Sequence, residues 1–295
     1  MPIEQSQVLL GGAVVFWRLA SRSDRQRLFD ALASHGLDRF CPEPRTPASA
    51  LKEAVSTYSS ECHGHAMVRG LKNSEKNGFL VVHEQIGDSD NTYRKLFSVK
   101  VNDSGFLETQ SLDVRPDIAR IEELYNANRR VVTSAAVAGL LVDLVEHYRG
   151  TPLRPNGGFY WIESGVLPDF VAVAGSIEQC AVDDTSAVHF LKTAVDNLSV
   201  RALKDAIVAE VQAKAREIED AATEGTLKSR GFKIKQSQAQ SLHERVSYFE
   251  NLLGEALSEL HEVADNCEKQ VVENALQAIP DFLSGLTITE VQEVG

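Results

Sequence analysis

The chain has 295 residues, 43% hydrophobic and 24% charged, with 30 basic and 42 acidic side chains and a net charge of −12. That much apolar material supports a packed core and excludes the weakly hydrophobic, highly charged composition of disordered chains. The negative balance excludes attraction of the whole molecule to nucleic-acid backbones or anionic membrane surfaces, so either would need a local basic patch.

Charge is unevenly spread. Residues 1–115 carry 14 basic and 14 acidic side chains, residues 116–197 carry 6 and 11, and residues 198–295 carry 10 and 17. Cys41, Cys62, Cys180 and Cys267 form no CxxC pair, a scatter that fits free thiols in a reducing cytoplasm. A cytoplasmic protein is therefore expected.

The apolar run Val8 to Trp17 lacks a basic lead-in and is too short to span a bilayer. Its β-branched and aromatic content from Ala13 to Leu19 predicts a buried strand. Ser23 is placed to cap a helix from Asp24 to about His35, ended by Gly36. CPEPRTP reads as a loop, and Pro47 suits the first turn of a helix to about Tyr58. From His65 to Leu112, four strand-like runs alternate with turn-forming clusters: Ala66–Leu71, Phe79–Ile86, Tyr93–Val101 and Phe106–Leu112. That pattern predicts an antiparallel meander.

Apolar residues recur at helical spacing from Asp117 to Tyr148, which predicts one long helix ended by Gly150 and Pro152. Asn156-Gly157 then marks a β-hairpin. A helix is expected from Leu167 to Ile177 and a strand from Ala187 to Val195. In the last part, Val200, Leu203, Ile207, Val211, Ala215, Ile218 and Ala222 form one stripe. Leu242, Val246, Phe249, Leu253, Ala256, Leu260, Val263 and Cys267 form a second, at strict four-three spacing, with a register slip beyond. Gly225 and Gly231 break the helix between them, so the stripes fold together as a long antiparallel hairpin with arms of roughly 40 Å and 60 Å. The expectation is an α+β protein in three parts. Residues 1–115 form a mixed α/β domain with antiparallel strands, 116–197 a helix-rich region with a β-hairpin, and 198–295 a coiled-coil helical hairpin.

Candidate sites are few. Lys228, Arg230, Lys233 and Lys235 surround Phe232 at the hairpin tip with no acidic residue among them. This reversal of sign could meet phosphates or an acidic partner, or could be a solvated turn. Cys62, His63, His65 and His83 contain possible metal ligands, but neither the number nor the spacing of a zinc site. The order of helix and hairpin around Asn156 resembles a winged DNA-binding unit, with Arg149 and Arg154 for phosphates and Tyr160 and Trp161 for stacking. The preceding SAAVAGLLVDLVEHY is apolar and acidic, however, so core packing of Phe159 and Trp161 is favoured. Arg18, Arg22, Arg25 and Arg27 are interleaved with Asp24 and Asp30, as on a solvated face with local ion pairs.

The sequence contains no phosphate loop, GxGxxG, GxSxG or HExxH motif, and calls for no cofactor. The expected function is a non-catalytic assembly or adaptor protein, acting through the coiled-coil arm as a subunit of a larger complex or homo-oligomer. Two alternatives are a nucleic-acid-associated protein using the basic tip, and a metal-dependent enzyme with its site near His63, His65, His83 and Glu84.

Overall fold

The computed structural model describes residues 11–62, 66–71, 78–86, 91–111, 115–154, 157–193, 197–224, 227–253 and 256–278. In chain order the elements are β1 (Gly12–Arg18), β2 (Arg22–Asp24), α1 (Arg25–Ser34), α2 (Pro47–Glu61), β3 (Ala66–Gly70), β4 (Gly78–Ile86), β5 (Asn91–Val101), β6 (Leu107–Ser111), α3 (Arg115–Arg130), β7 (Val131–Thr133), α4 (Ser134–His147), β8 (Thr151–Pro152), β9 (Tyr160–Glu163), α5 (Leu167–Glu178), β10 (Ala187–Thr193), α6 (Asn197–Thr223), α7 (Ser229–Leu253) and α8 (Ser258–Ala278). The fold is mixed α+β with antiparallel sheets. No described helix is long and apolar enough to cross a membrane.

Two compact units divide the chain, and both are discontinuous in sequence. The first takes the residues up to Trp17, Val145–Phe170, and the chain from His189 onward; the second takes Arg18–Leu144 and Val171–Val188. Linear cuts at 115 and 197 do not coincide with them. The reason is strand pairing: β1 is antiparallel to β9, with Gly12 opposite Glu163 and Val15 opposite Tyr160, which carries the chain's start to its middle.

In the second unit the expected meander is present, in the order β3-β4-β5-β6. Val81 faces Phe97 but Val82 faces Lys95, so Leu96 is the extra residue of a bulge. Val81, Phe97, Val99 and Val101 cover one face of the sheet. There they meet Ala50, Leu51, Ala54, Val55 and Tyr58 of α2 and Ile121 and Tyr125 of α3. Thr46 caps α2 by accepting from the Ser49 N–H, and Pro47 occupies the first turn.

Three local expectations need correction. The cap of α1 is Asp24, which accepts from Arg27 N–H at 2.8 Å; Ser23 is held in β2 opposite Val132. The single helix over 117–148 is two, α3 and α4, separated by β7. Val131, Val132 and Thr133 are β-branched, and they pair with Asp24, Ser23 and Arg22. The helical spacing survives the break because α4 restarts in a similar register.

The second arm of the carboxy-terminal hairpin is likewise two helices. α7 ends at Leu253 and α8 starts at Ser258. α6 and α7 run antiparallel, with Glu210 of α6 ion-paired to Arg245 of α7. α8 folds back along α7, matching Glu268 to Gln240 and His261 to Glu250. It runs parallel to α6, with Cys267 against Ala215 and Asn274 against Thr223. Each helix alone carries an apolar stripe, and the three bury them together, in one cluster with Phe232, Leu242, Cys267 and Val271 and another with Ile207, Val246, Phe249 and Leu260. Trp161 of β9 completes the second cluster.

Candidate functional site

One flank of α6, beside its buried stripe, is unusual in composition. Ala202, Ala206, Ala209 and Ala213 follow one another at steps of four, three and four, so they share a face. Ala202, Ala209 and Ala213 are exposed and Ala206 is half-buried. Alanine is the strongest helix former and the shortest apolar side chain, so this face is both rigid and low. Pro152, Leu153 and Arg154, running out from β8, stand beside it. The result is a groove of about 520 Å³ with Ala206 and Ala209 in its lining and Asp205, Lys214 and Glu217 around it.

One wall of the groove is fixed by a network of charges. Gly150 follows Arg149, which adopts a left-handed φ of 55°. A Cβ on Gly150 would lie 2.6 Å from Val145 Cγ1 and 3.1 Å from the Trp161 carbonyl, so only glycine fits. The Gly150 carbonyl accepts from Arg245 Nη2 at 2.7 Å, and that nitrogen also donates to Glu210 Oε2 at 2.9 Å. Arg245 Nε lies 2.7 Å from Glu210 Oε1, too bent for a second hydrogen bond but within ion-pair reach. Lys214 bridges Glu146 at 2.5 Å and Glu210 at 3.6 Å. Tyr248 donates its hydroxyl to Glu163, and the Arg149 guanidinium sits 4.9 Å over the Tyr248 ring.

The titration shifts follow from these contacts. The hydrogen bond from Lys214 holds the Glu146 carboxyl below its usual range. Burial, and then the hydrogen bond to Glu163, push the Tyr248 hydroxyl well above its own. Each carboxylate here has a cationic or hydroxyl partner. The arrangement is a clamp that holds hairpin to bundle, rather than an acid poised against a base.

The residues singled out in the sequence fall as follows. At the tip, Lys228, Arg230 and Lys233 are exposed and Lys235 is half-buried, but Phe232 lies in the bundle core and is closed to any ligand. Gly231, expected to break the helix, lies in the first turn of α7, where the chain is only beginning to pair. Of the seam, Leu242, Val246, Phe249, Leu260 and Cys267 are buried, Leu253 and Val263 half-buried, and Ala256 exposed between α7 and α8. Leu252 and Ala264 take the inward places beside Leu253 and Val263.

Tyr160 and Trp161 are buried, Tyr160 stacked on Trp17 at 5.1 Å, so neither can stack on a base. Phe159 is 39% exposed, against Phe16. Arg154 is tied to Gly157 of its own hairpin. The arginines of the second unit act as braces: Arg22 pairs with Glu53 at 2.7 Å, Arg25 donates to Pro42 O and Arg18 to Thr185 O. The proposed ligand group cannot be assembled, because His63 and His65, and the side chains of His83 and Glu84, lie outside the described residues. No cluster of metal-binding side chains occurs among the described residues.

The groove was missed because alanines read as helix filler. The signal was their four-three spacing on the face flanking Leu203, Ile207 and Val211. No curated protein and no solved structure matches the sequence. A family model matches residues 9–280, spanning every element from β1 to α8, and on that match the chain belongs to the family described as Family of unknown function (DUF6744).

Proposed function

We propose that the protein is a non-catalytic assembly or adaptor subunit that holds an α-helix of a protein partner in the groove along α6. The observation that carries this reading is the exposed alanine face of Ala202, Ala206, Ala209 and Ala213. A low, regular apolar face lets a second helix approach closely and lay its own stripe against it. The flanks favour a particular partner. Asp205 and Glu217 stand at the rim beside Arg154, tied to Gly157, and Lys214, tied to Glu146, and residues 198–295 carry 10 basic and 17 acidic side chains. A second copy would bring the same sign to the contact; a helix with basic flanks would bring the opposite one.

A synthetic three-heptad helix with leucine at the core positions and lysine on the flanks tests this by calorimetry. The lysine peptide is expected to bind the wild type and to fail against Ala209→Arg, and its glutamate-flanked counterpart is expected not to bind. Equal binding of both peptides, or undiminished binding to Ala209→Arg, would refute the reading. A dimer in light scattering that Ala209→Arg dissolves would reassign the groove to a second copy.

A further inference from the structure

A second cavity lies in the other unit, between α3 and the turn joining β5 to β6. Asn102 builds that turn: its side-chain oxygen accepts from Ser104 N–H at 3.1 Å and Phe106 N–H at 2.9 Å. Gly105 takes φ +81°, and the Tyr125 hydroxyl of α3 donates to its carbonyl at 2.6 Å. Turn and helix are thus locked together, and the space between them, about 440 Å³, is preformed.

Its lining is chemically asymmetric. Arg129 Nη1 is buried and has no hydrogen-bond partner among the described residues. A buried guanidinium nitrogen without an acceptor forgoes a charged hydrogen bond, and a carboxylate is the acceptor that fits its fork. Beside it, Phe106 is 70% exposed, the most exposed large apolar residue described. Glu122 lines the other end, with Asn126 between it and Arg129 along α3. Glu122 stands two turns before Arg129, about 10 Å along the helix. That separation equals roughly three residues of extended chain. With one cation and one anion in the lining, a multiply charged anion such as phosphate is a poor match and a single carboxylate a good one. β6, which begins at the cavity with Leu107, is the edge strand of its sheet and can run beside an extended peptide.

We propose that this cavity binds the carboxyl end of a protein partner's extended segment. The terminal carboxylate sits on Arg129, whose guanidinium turns to present Nη1 to it, an apolar terminal side chain lies against Phe106, and a basic residue upstream meets Glu122. The site is independent of the α6 groove.

The experiment is a titration of ¹⁵N-labelled full-length protein with acetyl-Lys-Ala-Leu and with its carboxyl-terminal amide. The free acid is expected to shift the Gly105, Phe106 and Leu107 amide signals saturably, and amidation to weaken binding by about tenfold or more. Arg129→Gln should cause the same loss while removing the preference for acid over amide. Phe106→Ser, at an exposed side chain that the fold does not need, should weaken both ligands and leave the preference intact. No saturable shift with the free acid, equal affinity for acid and amide, or undiminished binding to Arg129→Gln each overturns the proposal. If acetyl-Lys-Ala-Asp amide binds as well as the free acid, the chain-end assignment falls.

Discussion

Glu210 and Arg245 form the most consequential pair in the helical bundle. Glu210 is 8% exposed, and Arg245 spends its donors on that carboxylate and on the Gly150 carbonyl. Removing Arg245 leaves Glu210 only the more distant Lys214, at 3.6 Å, and a buried charge that loses its close partner costs far more than the pair contributes. Arg245→Met is therefore expected to lower the unfolding free energy in urea by about 3–5 kcal/mol. The double variant Arg245→Met, Glu210→Leu should be less destabilised than the single, a non-additivity visible in the same denaturation curves. The pair was partly legible. Glu210 falls at the third position after Ile207, inside the buried stripe, where an acid calls for a partner. What the sequence could not supply was that partner's identity, since Arg245 reads as one more charge beside Val246 on the next helix.

Helix boundaries show where periodicity stops being informative. A spacing pattern reports which residues face inward; it does not report whether the chain turns between them. α3 and α4, and again α7 and α8, keep their patterns across a break, so each pair reads as one helix. The first break is marked by β-branched Val131, Val132 and Thr133. The meander, by contrast, was legible because each turn cluster ends a period-two run. At the α7–α8 junction, Glu250 accepts from Leu257 N–H at 2.7 Å and lies 3.0 Å from His261 Nε2. These contacts, the backbone one first, hold its carboxyl below the ordinary 4.5. A carboxyl with a lowered folded-state pKa stabilises above its unfolded value and loses that effect as pH falls through the folded one. Glu250→Gln should accordingly lower the thermal midpoint at pH 7, and the difference from wild type should shrink below about pH 4.5, as read by circular dichroism.

At the scale of the molecule, the helical bundle is not separable by a cut at 197. Trp161 packs with Ile207, Val246 and Phe249, and the Gly150 carbonyl holds Arg245. A fragment starting at residue 198 lacks both. It is expected to keep helical far-UV dichroism while losing near-UV signal and binding a hydrophobic dye, the signature of helices without fixed packing. A cut near residue 145 would instead leave the meander with α2 and α3 intact, since their core is drawn wholly from residues 50–125.

The pairing of Gly12 with Glu163 also sets an order of events during synthesis. At ribosomal rates the partner strand emerges on the order of ten seconds after β1 has left the exit tunnel. Through that interval Ala13, Val14, Val15, Phe16 and Trp17 have no native strand to join. The nascent chain is thus expected to carry an unpaired strand prone to aggregation while the meander behind it condenses, and its yield in cells is expected to respond to translation speed and to holdase chaperones.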